Sequence, residues 1–351
     1  MAQNKKLAYI YKGLLLLASG VFIYLLFRQF GTLTQAADVL SKGSWYFILA
    51  VIGIQALAVI NRGAFYQTLY DFFGVRDSLK RLVVLSLSSN FINLAAPTGG
   101  LSGMAVFISE AQQHGMSKSR ATFVNFFGYF MYYGVFVLLL MFGLFYLLFN
   151  HQLYKYQIIT AAILFGMISI ILVALIAAFE RAARVKKLFS FVAMITNFCT
   201  RLVSRKKIIH KVDVHIASTE VNACLEIIAS KWKQLWLPIF HVLLIEVIDI
   251  ITLYYLFLAF KFPIYPGILI TTYAIGVLFT LVSITPGGIG VVEAAMIFVL
   301  TNLQVPVELS TIVVFVYRIL NYWLPFGLGF VAFRKFQSEK IERIERTQNA
   351  T

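Results

Sequence analysis

Residues 264–303 read IYPGILITTYAIGVLFTLVSITPGGIGVVEAAMIFVLTNL, an apolar run broken at its centre by Pro286, Gly287, Gly288 and Gly290. A helix that crosses a bilayer needs about 20 mostly apolar residues, and each half of this run is read as shorter than one crossing. Proline and clustered glycine free backbone groups that hydrocarbon cannot satisfy, so the break belongs where protein or a water-filled cavity meets it. The run is therefore expected to be a helical hairpin that enters the membrane and turns back. A second broken run, 82–111, carries Pro97, Thr98, Gly99 and Gly100 at its centre.

Outward from these two breaks the chain is overwhelmingly apolar. Of its 351 residues 60% are hydrophobic and 13% charged, against roughly 45–50% and about 25% in soluble domains. An ordinary soluble globular protein is excluded. Six unbroken segments are long enough to cross: Gly13 to Phe27, Trp45 to Leu69, Ala121 to Phe149, Ile158 to Phe179, Leu235 to Phe260 and Val307 to Phe333. The first follows a basic start (Lys5, Lys6, Lys12), as a signal peptide would, but no small-residue cleavage site follows it, and it reads as a retained span. Cys199 and Cys224 offer no metal spacing and no disulfide framework, so neither a metal nor a cofactor is expected.

Charge placement decides how the broken runs behave. The chain carries 30 Lys and Arg against 15 Asp and Glu, a net charge of +15; in a membrane protein this surplus marks the cytoplasmic face rather than a nucleic-acid partner. If each broken run crossed once, the segment Glu180 to Lys233, with 11 basic residues, would face away from the Lys-rich N-terminus. If each enters and leaves on one side, 24 basic residues are cytoplasmic, four are external (Arg28, Lys42, Lys155, Lys261), and Arg62 and Arg318 lie within spans. Two pairs of short complete crossings would give the same parity; segment length favours re-entry.

The expected fold is thus an all-α polytopic membrane protein with six full spans and two re-entrant hairpins arranged as an inverted repeat, both termini cytoplasmic in the cell membrane. Residues 1–150 form the first half, 151–184 hold span four, and 185–233 form cytoplasmic amphipathic helices. Residues 234–333 complete the second half, and 334–351 are a charged tail read as a frayed helix without chemistry. In the 185–203 stretch, Val185, Leu188, Phe189, Val192, Ile195, Cys199 and Leu202 recur at helical spacing, as in a helix lying on an anionic leaflet. Inverted repeats with broken helices near the midplane are a transporter pattern, because one unit moving against the other exposes a fixed site to each side in turn.

Ionisable groups inside a membrane are expensive and hence informative. Arg62 and Arg318 are candidates to grip a phosphate, which a guanidinium matches with paired donors. Asn321 follows Arg318 on one face, and Asn90 and Asn93 end a polar stripe that includes Ser86 and Ser89. Gly99, Gly100, Gly287, Gly288 and Gly290 would let an anionic group approach the backbone N–H groups at the start of a half-helix. Glu246, Asp249 and Glu293 are candidates for proton coupling, or for a polar network that holds the arginines. His241, on an apolar helix, reads as a packed, hydrogen-bonded histidine. Tyr129, Tyr132 and Tyr133 read first as packing or interface residues.

These residues resemble a known family. Ser283 to Glu293 (SITPGGIGVVE), Arg318 to Pro325 (RILNYWLP) and Pro97 to Gly103 (PTGGLSG) are similar to the membrane domain of bacterial lysylphosphatidylglycerol synthetase/flippase proteins and of stand-alone flippase-like membrane proteins. The resemblance implies movement of a phospholipid or a lipid-linked, polyprenyl-phosphate-type species between leaflets, and it carries Pro286, Gly287, Gly288, Gly290, Glu293 and Arg318 as motif positions. Arg62 rests on its charge alone. Lysyl-transferring members carry a further soluble domain, so aminoacylation is not expected of this chain. Stand-alone members have a Gly-Glu pair after the first proline, where this chain has Gly100-Leu101, and a proton-coupling role for that hairpin is not carried over.

The leading expectation is a lipid flippase and not an enzyme, with membrane lipid, and a further copy of the chain in a homo-oligomer, as partners. A transporter of a small soluble anion and an accessory subunit of a glycosyltransferase or lipid-modifying enzyme remain as alternatives. A sealed aqueous vestibule would mark the first, and dependence on a partner the second.

Overall fold

A computed structural model describes residues 45–95, 102–149, 166, 211–283 and 285–349. The first expected span, nearly all of the fourth, the 185–203 helix, and Gly99 and Gly100 lie outside the described residues. Every described element is helical: α1 (Trp45–Phe72), α2 (Leu79–Ala95), α3 (Met104–Gln113), α4 (Lys118–Phe149), α5 (Lys211–Lys231), α6 (Trp236–Ala259), α7 (Pro266–Val282), α8 (Val291–Asn302), α9 (Val307–Arg318) and α10 (Leu324–Asn349). Among the described residues, four helical segments are long and apolar enough to cross a membrane, Leu49–Phe72, Lys118–Gly143, His215–Ala259 and Val307–Glu339, while Pro266–Leu281 and Val291–Asn302 are apolar but short. The chain is a multi-pass membrane protein by these segments. Large apolar side chains such as Leu57, Leu138, Phe142, Trp236 and Phe298 stand exposed on its outside, where a bilayer supplies the solvent that water could not.

Local sequence explains the breaks. Pro266 begins α7 at its first turn, where a missing N–H costs nothing. Short 3-10 turns occupy Trp232–Leu235 and Pro286–Gly288. The expected sixth span is interrupted: between α9 and α10, Ile319–Trp323 form a π-turn, with the Leu324 N–H bonding to the Ile319 carbonyl. Pro325 has no N–H to offer Asn321 four residues back, and the wider turn absorbs that gap. The helix then continues without a break past residue 333, so the expected tail is the end of α10. Its Phe336 is buried and its Glu339 pairs with Arg81.

The packing pairs recur in the two halves. Helix α1 lies along α6, α2 packs on α3 and on α10, and α7 packs on α8 and on α4. Exchanging α1 with α6, α2 with α7, α3 with α8, and α4 with α9–α10 returns the α1–α6 pair to itself and turns the α2–α3 and α2–α10 pairs into the observed α7–α8 and α7–α4 pairs. Two apolar clusters result. One gathers Phe136, Leu253, Phe257, Tyr273, Met296 and Tyr317; the other gathers Phe65, Leu69, Phe73, Phe107, Ile245 and Phe336.

Candidate functional site

A cavity of about 320 Å³ touches both clusters, reaching Phe65 and Ile245 of one and Tyr273, Met296 and Tyr317 of the other. Polar side chains line it among apolar ones. From α1 come Arg62 and Tyr66; from α2, Ser86, Ser89, Asn90 and Asn93; from α4, Tyr129, Tyr132 and Tyr133; from α6, Asp249. Helix α7 adds Tyr273 and Thr280, the glycine turn adds Gly287, and the α9–α10 junction adds Arg318, Asn321 and Tyr322. Asn321 and Tyr322 follow Arg318 at i+3 and i+4, the spacing that puts them on one helix face, and the π-turn at Ile319–Trp323 lies within this stretch.

The two arginines are held differently. Arg318, nearly buried, donates from Nε to Glu293 Oε1 at 2.7 Å and from Nη2 to the Gly287 carbonyl at 2.7 Å, and its guanidinium lies 4.6 Å above the Tyr322 ring. Glu293 Oε2 in turn accepts the Gly290 N–H at 2.6 Å. Arg318, Glu293 and the Pro286–Gly290 turn thus form one closed unit, and the start of α8 is satisfied by Glu293. Gly287 belongs there for a steric reason: its φ is +59°, and a Cβ would come within 1.9 Å of the Tyr322 ring. Gly288 also has positive φ, +70°.

Arg62 is freer. Among the described residues its one ion pair is to Asp249, at 3.4 Å, and a quarter of its side chain is exposed. The remaining guanidinium donors belong to the cavity wall. Behind Asp249, Glu246 is fully buried, neither of its oxygens makes a hydrogen bond, and the phenols of Tyr273 and Tyr132 face it. Asp249 Oδ1, Asn321 Nδ2 and the Tyr273 and Tyr322 hydroxyls likewise lack partners among the described residues. Gln55 links the two halves by donating to Thr252 Oγ1 at 3.1 Å and to Asn321 Oδ1 at 2.8 Å.

In the first broken run, Asn93 does for α3 what Glu293 does for α8. Its Oδ1 accepts the Gly103 N–H at 2.6 Å and the Ser102 hydroxyl at 3.2 Å, while its Nδ2 donates to the Tyr129 hydroxyl at 3.2 Å. His241 is hydrogen-bonded as expected, with Nδ1 2.6 Å from Asn61 Oδ1.

The structure thus gathers Arg62, Asn90, Asn93, Asp249, Gly287, Arg318 and Asn321 in the wall of one cavity. Glu246 and Glu293 lie behind that wall, and Gly288 and Gly290 shape the turn without lining the cavity. Sequence reading takes Tyr129, Tyr132 and Tyr133 first as packing or interface residues, because tyrosine in a membrane helix is as common at the interface as in a site. Their positions in α4, at i, i+3 and i+4, are the available signal. Sequence reading passes over Arg81, which donates to both oxygens of Glu110 at 2.9 Å and to Glu339. Asp77, Glu110 and His114 place one ligand atom each within 4.8 Å of one another, but Arg81 already occupies the Glu110 carboxylate.

Comparison with known proteins matches residues 11–329 to a family described as the lysylphosphatidylglycerol synthase TM region. A UPF0104 membrane protein of Methanocaldococcus jannaschii is 24% identical over 329 residues, covering 91% of this chain and 93% of that protein.

Proposed function

The chain belongs to the lysylphosphatidylglycerol synthase TM-region family, and from that premise we propose that it is a lipid flippase. It moves a phospholipid or lipid-linked phosphate between leaflets by alternating access, and carries out no chemistry on it. Six spans and two re-entrant hairpins form an inverted repeat in the cell membrane, with both termini cytoplasmic. The α2–α3 and α7–α8 pairs are the hairpins, and the exchangeable packing pairs of the two halves support this reading.

One observation carries the proposal: a cavity lined by polar and apolar side chains within an apolar bundle holds an arginine, Arg62, whose ion pair to Asp249 is long and leaves donors over. A guanidinium offers phosphate paired donors that match its oxygens and carries its charge whatever the pH. At about 320 Å³ the cavity suits a head group and not a whole lipid, which leaves the acyl chains in the bilayer. Arg318 and Glu293 set the shape of the glycine turn, with the remaining Arg318 donors available to the same phosphate. Asp249 and Glu246 form the polar network around Arg62, and proton coupling, if transport is driven, is assigned to them.

Native mass spectrometry of the detergent-extracted protein tests this, comparing the parent with Arg62→Ala. A phosphate-bearing lipid retained by the parent and lost from the variant is the expected result. Equal retention, or no lipid at all, would move the reading to a soluble anion or to an accessory subunit.

A further inference from the structure

Helices α2 and α10 run antiparallel, with Arg81 beside Glu339 and Phe336 at one end and Asn90, Asn93, Asn321 and Tyr322 around the cavity at the other. Between the ends lies a seam of rings: Phe91 stands 4.9 Å from Phe326, 5.6 Å from Phe330 and 5.6 Å from Phe333, centroid to centroid. No backbone hydrogen bond or buried ion pair crosses that stretch among the described residues. Phe330 is half exposed on the outer surface, and the seam runs from that surface to the edge of the cavity at Asn90, Asn93 and Tyr322. At Gly329 the helices come so close that a Cβ would lie 2.5 Å from the Leu87 carbonyl oxygen.

The ion pairs at the closed end are unequal. The Arg81–Glu110 pair is bidentate and joins α2 to α3, and the Glu110 side chain is only 5% exposed. The Arg81–Glu339 pair joins that hairpin to α10, and the Glu339 side chain is 33% exposed. Water reaches the second pair and not the first, so the hairpin holds together while its tie to α10 is the weaker link. We infer that the α2–α10 seam is the lateral gate of the cavity, with Arg81–Glu339 as its latch: when the latch opens, α2 and α3 move together away from α10, and a lipid's apolar chains take the place of the phenylalanine contacts while its head group reaches Arg62. The inference rests on the flippase reading for its cargo, but the gate itself is defined by access to the cavity.

Access is measured with Asn90→Cys in a background with Cys199 and Cys224 replaced by serine, following labelling by a small maleimide in detergent and in nanodiscs. Glu339→Lys places a like charge opposite Arg81 while leaving the Arg81–Glu110 pair intact. It is expected to speed labelling of the thiol introduced by Asn90→Cys by about fivefold or more, the factor that corresponds to losing one partly exposed pair. Glu339→Gln should give a smaller rise. Thermal midpoints of both variants should stay within about 3 °C of the parent, which separates gate opening from general loosening. Labelling unchanged in both variants would overturn the gate and leave the flippase reading untouched. Faster labelling with no lipid movement by the parent would keep the gate and overturn its cargo.

Discussion

The Arg318–Glu293 pair allows the sharpest test of how the glycine turn is held. Both side chains are less than a tenth exposed, and their nearest atoms are 2.7 Å apart. Removing one member of a buried pair leaves the other charge uncompensated, at a cost of roughly 3–5 kcal/mol. Glu293→Ala also strips the Gly290 N–H of its acceptor, worth about 1 kcal/mol more as a lost helix cap. The expected destabilisation is therefore about 4–6 kcal/mol. Glu293→Gln keeps an acceptor for Gly290 and should lose about 3 kcal/mol. The double variant Glu293→Leu, Arg318→Met removes both charges together and should fall within about 2 kcal/mol of the parent, despite the Gly287 carbonyl losing its donor. Reversible unfolding in mixed micelles, titrated with dodecyl sulfate, reads all three along with Glu293→Leu and Arg318→Met alone. Strong non-additivity is the expected pattern. A double variant whose loss equals the sum of its singles, or a Glu293→Ala within about 1 kcal/mol of the parent, would refute the closed unit described above.

Other expectations follow from the same geometry. Arg62→Ala should lower lipid retention about tenfold or more, the factor for about 1.4 kcal/mol, with Arg62→Lys intermediate because an ammonium keeps the charge without the paired donors; quantitative lipid extraction reads both. Gly287→Ala should cost about 2 kcal/mol or more from its positive φ and the Tyr322 ring together, and adding Tyr322→Ala should return the steric part in the same unfolding titration. Gly290, at φ +84° and ψ −42°, lies outside the left-handed helical region that asparagine tolerates, so Gly290→Asn should cost about 1–3 kcal/mol although nothing lies within 4 Å of where a Cβ would stand. Asn93→Ala should destabilise by about 1–2 kcal/mol through the lost cap on α3.

Much of this architecture was legible in the sequence because a membrane restricts the choices. Lengths of apolar run located α1, α4 and α6 to within a few residues, and proline with glycine marked where α7 gives way to α8. The rarity of charge in such segments singled out Arg62, Asp249 and Arg318, which the fold then brings to one cavity. What stayed hidden depends on partners far apart in the chain. Glu293 and Asn93 act as caps, which needs the turn geometry around Gly290 and Gly103. The π-turn at Ile319–Trp323 has no signature in the helical spacing, which already set Asn321 and Tyr322 on the Arg318 face. Arg81 looked like one more basic residue near a helix start, and only the approach of α10 gives it Glu339.

Transbilayer movement of lipid in proteoliposomes tests the central claim most directly. Vesicles carrying a trace of head-group-labelled phospholipid, with outer-leaflet label quenched by an impermeant reductant, should reveal label arriving from the inner leaflet faster with the parent protein than in protein-free vesicles. The account predicts that Arg62→Ala, inserted to the same level, returns the rate to that of the empty vesicles. A parent protein that moves no phosphate-bearing lipid, or an Arg62→Ala variant that moves it as fast as the parent, would contradict the account.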